Sequence, residues 1–301
     1  MQILVTGWFS FDVGHTTAGD LLARDVVCGW LREAGYDYHV AATVPFVGDV
    51  EWFSADPSSY THVVFVCGPF RPGSPLAEFL DHFAGCRIIG INLSMLEPVN
   101  VWNPFDFLIE RDSTERSRPD LTFLSPQITI PVIGVALVHP QSEYGSKQRH
   151  SNINRAVQEL IAGRDVAVVQ IDTRLDNNSV GLRSANQVEG LISRMDLIVT
   201  TRLHGLVLAL KNGVPAVAID PISGGAKIKQ QANTIGWPVV FTPETVTHRA
   251  LQGAFDFCLT QDARELATQC RDGAHKKVAS VKQCFLAAIQ APRRGTASST
   301  P

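Results

Sequence analysis

An arginine and a histidine, Arg202 and His204, stand two residues apart in "DLIVTTRLHGLVLALKNGVPAVAID", residues 196–220. The stretch before them is a β-branched apolar run and the stretch after them repeats with helical spacing, so the pair sits where a strand hands over to a helix. The first N–H groups of a helix lack intrahelical partners and the helix dipole adds partial positive charge, so the junction favours an anion. Arg202 can clamp a phosphate or carboxylate with two parallel hydrogen bonds. His204 can give or take a proton near neutrality. Together they suit a site that binds an anionic substrate and moves a proton. The same two residues also fit a structural role, with Arg202 paired to a carboxylate and His204 donating to a backbone carbonyl.

A second cationic element follows in "DPISGGAKIKQQANTIGWP", where Lys227 opens a helix after a glycine pair. A lysine there opposes the helix dipole, and a docked anion would offset the cost; a solvated lysine would cost only a few tenths of a kcal/mol. Lys229 reads as solvent-exposed. In the first loop, "GWFSFDVGHTTAGD", Gly7, Gly14 and Gly19 miss the spacing of a dinucleotide fingerprint. Asp20 reads as a helix cap, with a hydrogen bond to an acceptor substrate as the alternative for this loop, which also holds Thr17. The densest polar segment is "HPQSEYGSKQRH", residues 139–150. It offers His139, Gln141, Glu143 and Tyr144 as candidates, with His139 and Glu143 as acid–base groups, or Glu143 as a partner of Lys147 or Arg149. Asp172 and Arg174 end a later strand and are further candidates. No HExxH helix, GxSxG elbow or P-loop is present, and no metal set is completed at short range.

These residues fall on loops between regular elements. Strands are expected at 2–6, 38–43, 62–67, 87–92 and 106–111, then at 132–138, 165–171, 196–200, 215–219 and 238–241. Helices are expected after the first strand, ending at Gly35, and at about 152–163, 184–194, 204–212 and 225–235. The Pro-punctuated stretch 118–131 reads as a linker. Two such alternating series imply an α/β chain of two Rossmann-like domains facing across a cleft, 1–128 and 129–290, the second with C-terminal helices. Residues 291–301, small and polar, read as a disordered tail. Ligands of such sheets bind outside the carboxyl ends of the strands, where the polar loops lie.

Composition bounds the partners. The 301 residues are 45% hydrophobic, enough for one large or two ordinary domains. A net charge of −3 gives no global basic field for nucleic acid or an anionic membrane. No signal-peptide pattern and no membrane-spanning apolar run are seen. Six scattered cysteines without a CxxC pair read as reduced thiols, so a cytoplasmic location is expected. Oligomeric state is left open, a homo-oligomer included.

The ordered set Arg202-Leu203-His204-Gly205, Gly213-Val214-Pro215, Lys227-Ile228 and Ile235-Gly236 resembles the polysaccharide pyruvyl transferase family. Gly7…Gly19-Asp20 resembles that family's G…N-x-G-D opening, with Thr17 in place of the Asn, and Glu110-Arg111-Asp112 resembles its mid-chain RD element. The resemblance implies a GT-B-like fold and transfer of pyruvate from phosphoenolpyruvate to two hydroxyls of a sugar or glycan, forming a ketal. It implies an acceptor side in the first domain, a donor side in the second, and no cofactor beyond the phosphoenolpyruvate donor. Arg202, Gly205 and Lys227 would bind the donor and His204 would act as general acid/base. A GT-B glycosyltransferase using a nucleotide-sugar and a non-catalytic sugar- or phosphate-binding relative are the alternatives.

Overall fold

The structure is a computed structural model and describes residues 1–138 and 149–290. The chain divides into two compact units, Met1–Ile128 and Thr129–Pro301. Unit 1 holds β1 (Gln2–Thr6), α1 (Ala18–Glu33), β2 (Asp37–Val40), β3 (His62–Phe70), α2 (Leu76–His82), β4 (Arg87–Met95) and β5 (Phe107–Ile109). Unit 2 holds β6 (Val132–Ala136), α3 (His150–Ala162), β7 (Ala167–Gln170), α4 (Ala185–Ile192), β8 (Leu197–Thr200), α5 (Leu203–Lys211), β9 (Ala216–Ile219), α6 (Lys227–Ile235) and β10 (Val240–Phe241). Three helices follow: α7 (His248–Cys258), α8 (Gln261–Val278) and α9 (Val281–Gln290).

The two sheets repeat one topology. Unit 1 is ordered β2-β1-β3-β4-β5 and unit 2 is ordered β10-β9-β8-β6-β7, all pairs parallel. Read from the second strand of each unit, both are the doubly wound order 2-1-3-4-5. Each therefore reverses direction between its first and third strands, β1/β3 and β6/β8. Parallel sheets are covered on both faces, which is why their strands read as continuous apolar runs. In unit 1, Ile3, Val5, Val64 and Val66 pack with α1 residues Ala23 and Val27, while Leu4, Val63 and Phe65 face an aromatic cluster with Phe70, Phe79 and Phe83. In unit 2, β8 and β9 are buried along their whole length, and α7 and α8 close the core through Leu251, Phe255, Cys258, Ala267 and Cys270. α9 contributes no buried residue.

The expected linker 118–131 is only partly a connector. Asp120 caps a short 3-10 turn at Leu121–Leu124, the Leu121 N–H donates to Asn92 Oδ1 at 3.1 Å, and Arg111 Nη1 lies 2.8 Å from Asp120. Its first half is thereby fixed to unit 1. Arg111 and Asp112, the RD element, also engage Ser94 at the end of β4, so this motif ties strand ends together rather than presenting free charge. Among the described residues, no helix is long and apolar enough to cross a membrane.

Candidate functional site

At the carboxyl ends of β6, β7, β8 and β9 lies a pocket of about 220 Å³. Its wall includes Thr173, Arg202, His204, Asp220, Ala226 and Lys227. Three candidates read from the sequence, Arg202, His204 and Lys227, therefore share one cavity. It sits beside the switch point of the unit 2 sheet, where open α/β sheets place ligands.

Sheet order explains how Arg202 is held. β6 lies between β8 and β7. Arg202, just after β8, reaches across the end of β6, where its Nε donates to Leu137 O at 2.7 Å. Its Nη2 then meets Asp172 Oδ1, beyond β7, at 3.1 Å. Both side chains are buried. Asp172 accepts further hydrogen bonds from the Arg174 N–H at 3.0 Å and from the Ser179 N–H at 3.2 Å. Burial would raise the Asp172 carboxyl, but those backbone donors and the Arg202 guanidinium outweigh it and hold the group below its ordinary value. Burial lowers the Arg202 guanidinium, opposed by Asp172. The carboxylate-paired role is thus realised, while Arg202 still lines the pocket and its Nη1 has no hydrogen-bond partner among the described residues.

α5 begins directly after Arg202, which is its N-cap residue and supplies no side-chain cap. Leu203 and His204 of its first turn line the pocket, and the first N–H groups of a helix favour an anion. His204, in the first turn, is exposed and lines the cavity. Gly205 plays a different part from the donor contact expected of it. It is buried and does not line the pocket, and a Cβ there would lie 2.2 Å from Thr200 Oγ1. Glycine lets the first turn of α5 close onto the end of β8, which sets where Arg202 and His204 emerge.

α6 shows what the reasoning about Lys227 missed. Asp220, after β9, is 1% exposed, and its Oδ2 accepts from the N–H groups of Ala226 at 2.6 Å, Ile228 at 3.1 Å and Lys229 at 3.1 Å. The protein's own carboxylate therefore supplies the anion at this helix start, where the dipole favours negative charge. No bound ligand is needed to justify the lysines. Asp220 carried a readable signal, an Asp at a strand end three residues before a Ser-Gly-Gly turn into a helix. Lys227 remains exposed on the pocket wall.

Among the described residues, the remaining candidates are not brought to this pocket. Asp172 is buried behind Arg202, and Thr173 lines the cavity in its place. Arg174 is exposed and turned to Asp176, with Nε to Oδ1 at 3.0 Å. That hydrogen bond pulls Asp176 down to about 2 and raises Arg174. Thr17 and Asp20 form a reciprocal capping box on α1: Thr17 Oγ1 accepts from the Asp20 N–H at 3.4 Å, and Asp20 Oδ2 accepts from the Thr17 N–H at 2.7 Å. His139, Gln141, Glu143 and Tyr144 lie outside the described residues. Among the described residues, no cluster of three or more His, Cys, Asp or Glu is arranged to hold a metal.

Comparison with known proteins bears on the same segment. No curated protein matches the chain. Among solved structures, it is similar to the calicheamicin glycosyltransferase CalG4, with 14% identity over 97% of this chain and 99% of that one and a TM-score of 0.35. The spinosyn forosaminyltransferase SpnP gives 14% identity over 95% and 99%, with a TM-score of 0.35. The Methanocaldococcus jannaschii UDP-GlcNAc 2-epimerase gives 11% identity over 94% and 100%, with a TM-score of 0.33. The polysaccharide pyruvyl transferase family model matches residues 118–223, the stretch that carries Asp172, Arg202, His204 and Asp220. That match agrees with the motif resemblance: over residues 118–223 the chain is similar to the polysaccharide pyruvyl transferase family.

Proposed function

We propose that the unit 2 pocket binds phosphoenolpyruvate and that the protein transfers its pyruvyl group to two hydroxyls of a sugar, forming a ketal within polysaccharide biosynthesis. The observation that carries this reading is the convergence of Arg202, His204 and Lys227 on one pocket at the mouth of a helix without a side-chain cap. The cavity volume suits a small polyanion, since drug-sized ligands occupy roughly 300–1,000 Å³. The helix N–H groups, Arg202 and Lys227 would hold the phosphate and carboxylate. Their charge is fixed in place before reaction, so it costs little reorganisation when the transition state forms.

The reaction needs a proton delivered and protons removed. A proton goes to C3 of the enol, making the methyl group, and positive charge develops at C2. One sugar hydroxyl adds its oxygen to C2 and gives up its proton. The C2–O bond to phosphorus breaks, and inorganic phosphate departs with the bridging oxygen. The second hydroxyl then adds to C2 and loses its proton, closing the ketal. His204 is the proton-moving group at hand on the pocket wall, exposed and able to turn between donor and acceptor atoms. Asp172 holds Arg202 in position without touching substrate.

Incubating the protein with phosphoenolpyruvate and a panel of sugars tests the reading. Phosphate release that depends on the sugar supports it. Release of a nucleotide from a nucleotide-sugar, with phosphoenolpyruvate inert, contradicts it.

A further inference from the structure

Unit 1 carries a second cavity, of about 310 Å³, lined by Trp8, Gly14, His15, Pro69, Arg71 and Leu96. It occupies the counterpart of the unit 2 site. Trp8, Gly14 and His15 follow β1, while Pro69 and Arg71 come from the end of β3 and just beyond it. β1 and β3 are the strands between which the unit 1 sheet reverses. The volume falls within the range of small-molecule sites, roughly 300–1,000 Å³.

The wall is built, not incidental. Trp8 Nε1 donates to Pro69 O at 3.0 Å, and its ring packs on Phe11 and Phe65 with centroids 5.6 and 6.4 Å away. Gly68 has φ +87°, and a Cβ there would lie 2.2 Å from Trp8 Cδ1, so only glycine lets the indole lie against β3. Just before this point, Cys67 and Asn92 both have left-handed backbone, φ 65° and 59°, and the Asn92 amide donates to Cys67 Sγ at 3.0 Å. Such conformations are uncommon in non-glycine residues and concentrate at binding sites. Here they turn β3 and β4 together just ahead of Pro69, Arg71 and Leu96.

A fixed, half-buried indole is a stacking platform for the apolar face of a ring. Arg71 and His15 are exposed beside it, and among the described residues neither has a hydrogen-bond or acidic partner. We propose that this cavity is a second binding site, for a sugar ring that carries an anionic group, with the ring on Trp8 and the anion on Arg71. That the occupant is a sugar rests on the pyruvyl transferase reading above; the preference for an anion rests on this cavity alone.

Ligand-observed NMR on the full chain tests it with three probes: glucose, glucuronic acid and glucose 1-phosphate. The proposal expects at least one anionic sugar to bind tighter than glucose by roughly fivefold, the scale of one exposed charge pair. Glucuronic acid alone would identify a carboxylate, and glucose 1-phosphate alone a phosphate. Arg71→Ala should bring the anionic sugars to the affinity of glucose, and Arg71→Lys should recover part of the difference, with unchanged thermal unfolding in both. His204→Ala should bind them as the wild type does, whether or not the protein acts on phosphoenolpyruvate. Equal affinity for all three probes, or loss in His204→Ala with Arg71→Ala unaffected, would overturn the assignment.

Discussion

Arg202 and Asp172 form an ion pair at 3.1 Å, with side chains only 9% and 5% exposed, that spans the end of β6. Removing one partner of a buried pair strands the other charge, which typically costs about 3–5 kcal/mol. Asp172→Asn should therefore lose about 3 kcal/mol in urea denaturation at pH 7. The folded carboxyl lies below its ordinary value of 3.8, so its contribution is complete above that value and lost as pH falls through the folded value. The gap between wild type and variant should shrink below pH 3.8. Equal stability at pH 7 would contradict the pairing.

Gly205→Ala should destabilise by about 1–3 kcal/mol through the clash with Thr200 Oγ1. The same substitution made in a Thr200→Ala background should cost less, since the clashing atom is gone. A double-mutant cycle in urea reads that coupling directly.

Asp220→Ala leaves the start of α6 without its acceptor and should cost about 2 kcal/mol. Amide exchange at Ile228 and Lys229, whose N–H groups now donate to Asp220, should quicken before that of the rest of α6. Unchanged exchange at both amides would show that the carboxylate does not cap the helix.

The Thr17–Asp20 box gives a complementary result. Thr17→Ala should cost about 1 kcal/mol in stability, whereas Thr17→Asn should fall within about 0.5 kcal/mol of wild type, because Asn caps as well as Thr. Thermal unfolding of the two variants decides. In this chain Thr17 is the N-cap residue of α1.

The strand ladder was legible because parallel strands buried on both faces leave continuous apolar runs. All ten expected strands are present, with ends shifted by a few residues. β2 stops at Val40 because Ala41 makes only an isolated bridge to Val50 beyond it. The grouping of Arg202, His204 and Lys227 was also legible, since each opens a helix after a strand of one sheet. The Arg202–Asp172 bond was not. It depends on β6 lying between β8 and β7, an order that local pattern does not encode. That the Asp220 carboxylate faces the start of α6 emerges only once the turn after β9 folds back onto that helix. The Trp8 cavity is not legible in the sequence, because a tryptophan in a loop reads like any aromatic until Gly68 and Pro69 fix its ring.

His204 carries the central claim, because it is exposed on the pocket wall and has no hydrogen-bond or ion-pair partner among the described residues. The most direct measurement is mass analysis of the sugar acceptor after incubation with phosphoenolpyruvate, run in parallel with wild-type protein and His204→Ala. The wild type should add one pyruvyl ketal per phosphate released, and His204→Ala should fold normally but react about 10²–10⁴-fold more slowly. Phosphate released without a pyruvylated sugar, or a His204→Ala protein that reacts at the wild-type rate, would contradict the account.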